Sequence, residues 1–364
     1  MRTLLLPGLI LGLCIASGQA QRVSSPEIGP DRRVTFRLRA PNVNEVILSG
    51  EFIRGNTNLI KNDEGVWSLT IGPIEPEIYH YNFTIDGVRT IDPGNPDLKT
   101  GSTAQTLSSV LEVPGDTPAF YDGQPVPHGE IHTHWYHSKS LGTLRRLTVY
   151  TPPGYDPGRR TRYPVLYLFH GANADETAWT RLGRVNLILD NLLAVGAIKP
   201  FIVVMPLGYG VPPGTRGGDN TAQFSRDLLE DVIPYIEARY RAYTDRDRRA
   251  IVGLSMGGGQ ALSIGLNHLE LFSHVGGFSS GLGNANNFPQ TYADLIADPE
   301  GANKRLKLLW IGCGRDDGAL RGSRSLSEFL TGHEIRHTFR ETDGAHTWMV
   351  WRRHLHEVAP LLFR

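Results

Sequence analysis

Arg249-Ala250-Ile251-Val252-Gly253-Leu254-Ser255-Met256-Gly257-Gly258-Gly259-Gln260 is the stretch whose reading decides the fold. Arg249 to Val252 reads as a buried strand, and Gly258 to Leu266 as a helix packed closely on a sheet. Between them, Gly253-Leu254-Ser255-Met256-Gly257 reads as a nucleophile elbow of the form G-x-S-x-G. A serine on such a turn points its hydroxyl out of the sheet, at the positive end of the following helix. The flanking glycines remove the Cβ atoms that would block close strand–helix approach. A bare G-x-S-x-G is a weak signal; the strand before it and the helix after it supply the meaning.

Outward from the elbow, strands and helices alternate. Arg145 to Tyr150, Pro164 to Phe169, Phe201 to Met205 and Leu308 to Ile311 read as strands, the last three as unbroken apolar runs. Asn186 to Val195 and Ser225 to Tyr240 read as helices, the second with Leu228, Leu229, Val232, Ile233 and Ile236 on its apolar side. This order predicts an α/β-hydrolase fold, a mostly parallel sheet with helices on both faces.

The front of the chain has a different period. Val34 to Ala40 and Tyr79 to Ile85 alternate apolar and polar, and Asp86-Gly87 is a hairpin turn signal. With Val46 to Leu48 and Val66 to Ile71, these predict a small all-β sandwich of immunoglobulin-like type. Tyr79, Tyr81, Phe83 and Ile85 share one face, either a core face or a platform for stacking sugars, and Trp67 carries the same two readings. A Pro- and Gly-rich linker, Pro114 to Pro127, places the boundary near residue 118, so the expected domains are 21–117 and 118–364. Residues 1–20 read as a secretory signal peptide: Arg2, an apolar stretch from Leu4 to Ile15, then Gly18-Gln19-Ala20. The expected location is therefore secreted or periplasmic, with no membrane span after processing. Cys313 would then be the sole cysteine; it sits in an apolar strand and reads as an inert core thiol. The 37 basic and 37 acidic residues balance. That argues against a nucleic-acid partner, which would favour a basic face.

Ser255 needs a general base and the base needs an orienting carboxylate. In this fold the chain order is Ser, acid, His. Asp316 and Asp317 follow the strand Leu308–Ile311, and His346 follows in Asp343-Gly344-Ala345-His346-Thr347-Trp348. Two backbone N–H donors must bind the oxyanion. The amide of Met256 is one expected donor. The other is Ala172, in the loop His170-Gly171-Ala172-Asn173, where the His170 ring is expected to brace the loop. His128, His132, His134 and His137 form a cluster, but its spacing is not a zinc signature. No metal and no organic cofactor is expected.

Tyr150-Thr151-Pro152-Pro153-Gly154-Tyr155, Tyr163 to Gly171, Gly253 to Gly258 and Gly344 to Trp348 together resemble an esterase family that includes the feruloyl and acetyl xylan esterases of carbohydrate esterase family one. The resemblance spans roughly residues 125 to 364. The front region, with Tyr79 to Gly87 and Asp92-Pro93, is similar to the module often fused ahead of these esterases, itself similar to family 48 carbohydrate-binding modules. The family's Gly-x-x-Asp element, laid on Gly314-Arg315-Asp316-Asp317, selects Asp317 as the triad acid. The resemblance implies a serine esterase acting on feruloylated or acetylated xylan or its oligosaccharides, most often releasing ferulate from arabinoxylan. Trp179, Tyr209 and Trp348 are then candidate walls of an aromatic acyl pocket, or equally core residues. An acetyl xylan esterase, a siderophore esterase and an acyltransferase of the same fold are the alternatives. A non-enzymatic carbohydrate-binding protein is the reading from a different class.

Overall fold

The computed structural model describes residues 23–100, 106–212 and 219–364; the expected signal peptide lies outside the described residues. The front region folds as two antiparallel sheets. One orders its strands as 27–28, 34–39, 66–71 and 60–61; the other as 56–58, 46–50, 77–85, 108–113 and 98–99. Asp86 and Gly87 both take positive φ, 44° and 85°, and turn the long strand into its hairpin partner Val88–Thr90. Tyr79, Tyr81 and Phe83 are buried between the sheets with Phe36 and Leu48. Their shared face is a core face, the likelier outcome of alternation on a half-buried sheet. Trp67 is buried in the same core, its indole N–H donating to the Ala40 carbonyl.

The second region carries one eight-stranded sheet. Its strands, in chain order, are β1 (Glu130–Ser138), β2 (Thr143–Thr151), β3 (Val165–Phe169), β4 (Ile202–Pro206), β5 (Arg249–Leu254), β6 (His274–Phe278), β7 (Leu308–Gly314) and β8 (Thr338–Thr342). The spatial order is β1-β2-β4-β3-β5-β6-β7-β8, with β1 and β2 antiparallel and the rest parallel. This is the α/β-hydrolase arrangement. Apolar clusters lie on both sheet faces. The principal helices are α1 (Val185–Ala194), α2 (220–239), α3 (Met256–Asn267), α4 (Leu320–Gly332) and α5 (Trp348–Val358). Helix α2 starts five residues before the sequence pattern predicts. It contains a π turn at Asp227–Val232, just before Pro234, which has no N–H to continue the regular ladder.

Sequence reasoning missed β6 and β8 of this sheet, among others. β6 reads His274-Val275-Gly276-Gly277-Phe278, too glycine-rich to look like a strand. The reason is packing: a Cβ on Gly277 would sit 2.7 Å from Leu262 Cδ1 of α3. β8 lies at the sheet edge and has little apolar content.

The two regions meet across a buried ion pair. Arg352 of α5 is 1% exposed and lies 2.5 Å from Glu77, which is 4% exposed. Its guanidinium also donates to the Leu182 and Ile78 carbonyls and stacks over Tyr121. Arg184 pairs with Glu112, and Arg181 donates to the Leu98 carbonyl.

Candidate active site

β5 delivers Ser255 to the end of the sheet, and α3 begins one residue later. Ser255 adopts φ 53° and ψ −119°, a left-handed conformation that costs a non-glycine residue on the order of 1–3 kcal/mol. Three backbone hydrogen bonds hold it there. Its N–H donates to the Phe278 carbonyl at 2.8 Å, and its own carbonyl accepts from Gly259 (3.0 Å) and Gly281 (2.8 Å). Gly253 makes the sharp turn feasible: a Cβ there would lie 2.2 Å from the Gly257 carbonyl oxygen.

His346 sits in the loop between β8 and α5. Its Nε2 is 2.9 Å from Ser255 Oγ, and its Nδ1 is 2.9 and 3.0 Å from the two oxygens of Asp317. The Asp317 side chain is fully buried, whereas the His346 side chain is 43% exposed. Burial alone would raise the Asp317 pKa. Hydrogen bonds from His346, the Ala319 N–H and Ser279 outweigh that and hold it below the usual carboxylate range. Asp316, the neighbour in the doublet, is exposed. The edge of Trp351 packs against the imidazole at 4.9 Å, and its indole N–H donates to Ser279 Oγ. Ser279 and Trp351 are supports that sequence reasoning missed. Ser279 directly follows β6, the strand whose glycines hid it.

Met256 is the first residue of α3, so its amide has no acceptor within the helix. The loop after β3 runs beside Ser255: a Cβ on Gly171 would lie 3.1 Å from Ser255 Cβ. Ala172 follows it and is exposed. His170 is buried. Its Nδ1 bonds the Gly171 carbonyl at 2.7 Å and its Nε2 accepts the Gly208 N–H at 2.9 Å. Because Nε2 accepts an N–H it carries no proton, so the ring is a neutral brace between two loops, and burial lowers its pKa in the same sense.

Tyr209 belongs to the same brace. Its hydroxyl accepts the Asn173 N–H at 2.6 Å, and its carbonyl accepts from Arg145. Trp179 and Trp348 are 1% and 4% exposed and pack edge-to-face on each other. Of the two readings of these tryptophans, their burial fits core packing: with so little surface, neither has a free ring face to offer a ligand. Aromatic residues next to a site in sequence carry no information on which way the ring turns. Within the histidine cluster, His132 and His134 stay neighbours, their rings 6.3 Å apart and both against Tyr240. His128 bonds Asp190, His134 bonds Tyr240, and His132 bonds Thr151. No group of three or more metal-capable side chains occurs among the described residues. Cys313 is buried, which pushes its thiol up to about 11. No helix among the described residues is long and apolar enough to cross a membrane.

Comparison with known proteins agrees with this architecture. The Esterase family profile matches residues 138–362. An endo-1,4-beta-xylanase/feruloyl esterase of Xylanibacter ruminicola is 35% identical over 93% of this chain, which spans 46% of that protein. A second relative, endo-1,4-beta-xylanase Y of Acetivibrio thermocellus, is 28% identical over 61% of this chain and 22% of its own length. The chain therefore spans less than half of either relative. Among solved structures, a CE1 ferulic acid esterase from Anaeromyces mucronatus aligns with TM-score 0.58 at 26% identity, covering 68% of this chain and 96% of that one. The enterobactin esterase of Shigella flexneri aligns with TM-score 0.68 at 18% identity over 90% of this chain and 92% of that one, a likeness of fold. The chain belongs to the Esterase family.

Proposed function

We propose that this protein releases ferulate from feruloylated arabinoxylan through a Ser255–His346–Asp317 triad. The observation that carries the reading is one imidazole within hydrogen-bond reach of both the Ser255 hydroxyl and a buried, ionised carboxylate. His346 Nε2 takes the hydroxyl proton as Ser255 attacks the ester carbonyl. Asp317 fixes the tautomer with Nδ1–H and stabilises the imidazolium. The amides of Met256 and Ala172 bind the oxyanion. His346 then protonates the departing sugar alcohol, and water repeats the sequence on the acyl-enzyme. The choice of ferulate rests on the Xylanibacter and Anaeromyces relatives. The signal-like residues 1–20 support export, which places the enzyme where its polymer is.

The test is an activity panel of methyl ferulate, methyl p-coumarate, acetylated xylan and a catecholate trilactone, with transfer to a sugar acceptor followed alongside. Methyl ferulate is expected to be hydrolysed with the highest kcat/KM. Preference for the acetylated polymer or the trilactone, or transfer exceeding hydrolysis, would replace the ferulate assignment.

A further inference from the structure

Of the six tryptophans in the chain, five are buried, and Trp135 is 59% exposed. It stands on the outer face of β1, a strand at the sheet edge, paired across the ladder with Arg146 of β2. The Arg146 guanidinium lies over the indole, 5.3 Å from its centroid. Arg146 is itself held: its Nε is 2.9 Å from Glu176, a carboxylate only 1% exposed. An exposed indole thus rests on a cation fixed from below by a buried anion. Such an arrangement keeps the ring in one orientation without covering it.

The position is informative. Glu176 belongs to the segment after β3, six residues from His170, and the neighbouring Asn173 is bonded to Tyr209. The Arg146 carbonyl accepts from the Leu207 N–H in the loop after β4. The loop after β3 runs beside Ser255, and the loop after β4 is bonded to His170 of that loop and to Gln260 of α3. We propose that Trp135 and Arg146 form a remote subsite for a pyranose ring of the polysaccharide main chain, engaged only when the ester substrate is polymeric. Arg146 and Glu176 cancel in charge, so the patch favours a neutral polyol over a polyanion. One indole face matches the apolar face of one pyranose. A second copy of this chain fits less well: the exposed apolar side chains here, Ile131, Trp135 and Leu144, are interrupted by Thr133, His137 and Arg146. A stable dimer needs roughly 1,200 Å² or more of continuous, complementary surface.

The subsite rests on the esterase reading only for the identity of the polymer. The test compares Trp135→Ala and Trp135→Tyr in two assays. In a Ser255→Ala background, retention by soluble arabinoxylan in affinity electrophoresis reads binding without turnover. In the active enzyme, kcat/KM on methyl ferulate reads the chemistry alone. Trp135→Ala is expected to weaken retention about three- to tenfold, with Trp135→Tyr recovering most of it. Methyl ferulate turnover is expected to be unchanged. Retention unaltered by Trp135→Ala overturns the subsite, as does a dimer in sedimentation that the substitution dissolves. Trp135-dependent retention with no methyl ferulate hydrolysis by the parent enzyme supports the subsite and overturns the ferulate assignment instead.

Discussion

Two buried aspartates, one in each region, show how the same group serves opposite ends. Asp92 of the sandwich is fully buried and accepts from the Ser25 and Tyr81 hydroxyls at 2.5 and 2.8 Å and from the Gly94 N–H at 2.8 Å. Every partner is part of the frame, so its charge is spent within the fold. Asp317 is as deeply buried, but its main partner, His346, opens to solvent and faces a strained serine. A buried carboxylate becomes chemical when one of its partners is left free to exchange a proton. The difference lies in the neighbours, not in the aspartate.

Substitution sharpens the contrast. Asp317→Asn is expected to lower kcat by on the order of 10³–10⁴-fold, with the thermal midpoint little changed, because the amide no longer holds the reactive tautomer. Loss of folding with normal turnover per folded molecule would erase the contrast. The histidines extend it. His354 and His274 are buried and their pKa values are lowered, by burial first, to about 3 and about 4 from 6.5. The unfolded chain takes up protons on them below pH 6.5 while the folded chain does not. Their contribution is therefore complete about a unit above pH 6.5 and is lost as the pH falls through 6.5 toward 4. Between pH 6.5 and 5.5 denaturant titration should show stability falling by about 2 kcal/mol. A flat profile over that interval would mean that these rings are protonated in the native state.

Asp92→Ala should behave inversely to the triad change. It leaves the Tyr81 and Ser25 hydroxyls without their acceptor and is expected to cost about 2 kcal/mol of stability. Turnover per folded enzyme should stay within twofold of the parent; a large kcat loss would show that the sandwich takes part in the chemistry. The smallest effect is expected at Tyr209→Phe. Removing the acceptor for the Asn173 N–H loosens the loop beside Ser255, and kcat should fall about fivefold with KM held, equivalent to about 1 kcal/mol. A KM change with kcat held would return Tyr209 to the substrate-contacting role that its place in the sequence suggests.

What the sequence discloses follows the range of each physical signal. Apolar runs and alternation are local, so the two fold classes, the Asp86-Gly87 hairpin and strands β3, β4, β5 and β7 are legible. The elbow is legible because its glycines, serine and flanking strand are contiguous. The triad partners are separated in the chain but come in a fixed order, which makes His346 and the Asp316-Asp317 doublet readable as candidates. β6 is illegible because its Gly277 answers to Leu262, a residue of another element. Trp179 and Trp348 are left open between pocket wall and core for the same reason: only the assembled core determines whether an aromatic lines a pocket or fills a void. Arg352 and Glu77 look like surface charges in any local window, and their pairing across 275 positions is fixed by domain docking alone.

The most direct measurement is the kcat of Ser255→Ala on whichever panel ester the parent enzyme hydrolyses fastest. A fall on the order of 10³-fold or more with an unchanged thermal midpoint is expected. Turnover within tenfold of the parent, by a folded variant, would contradict it.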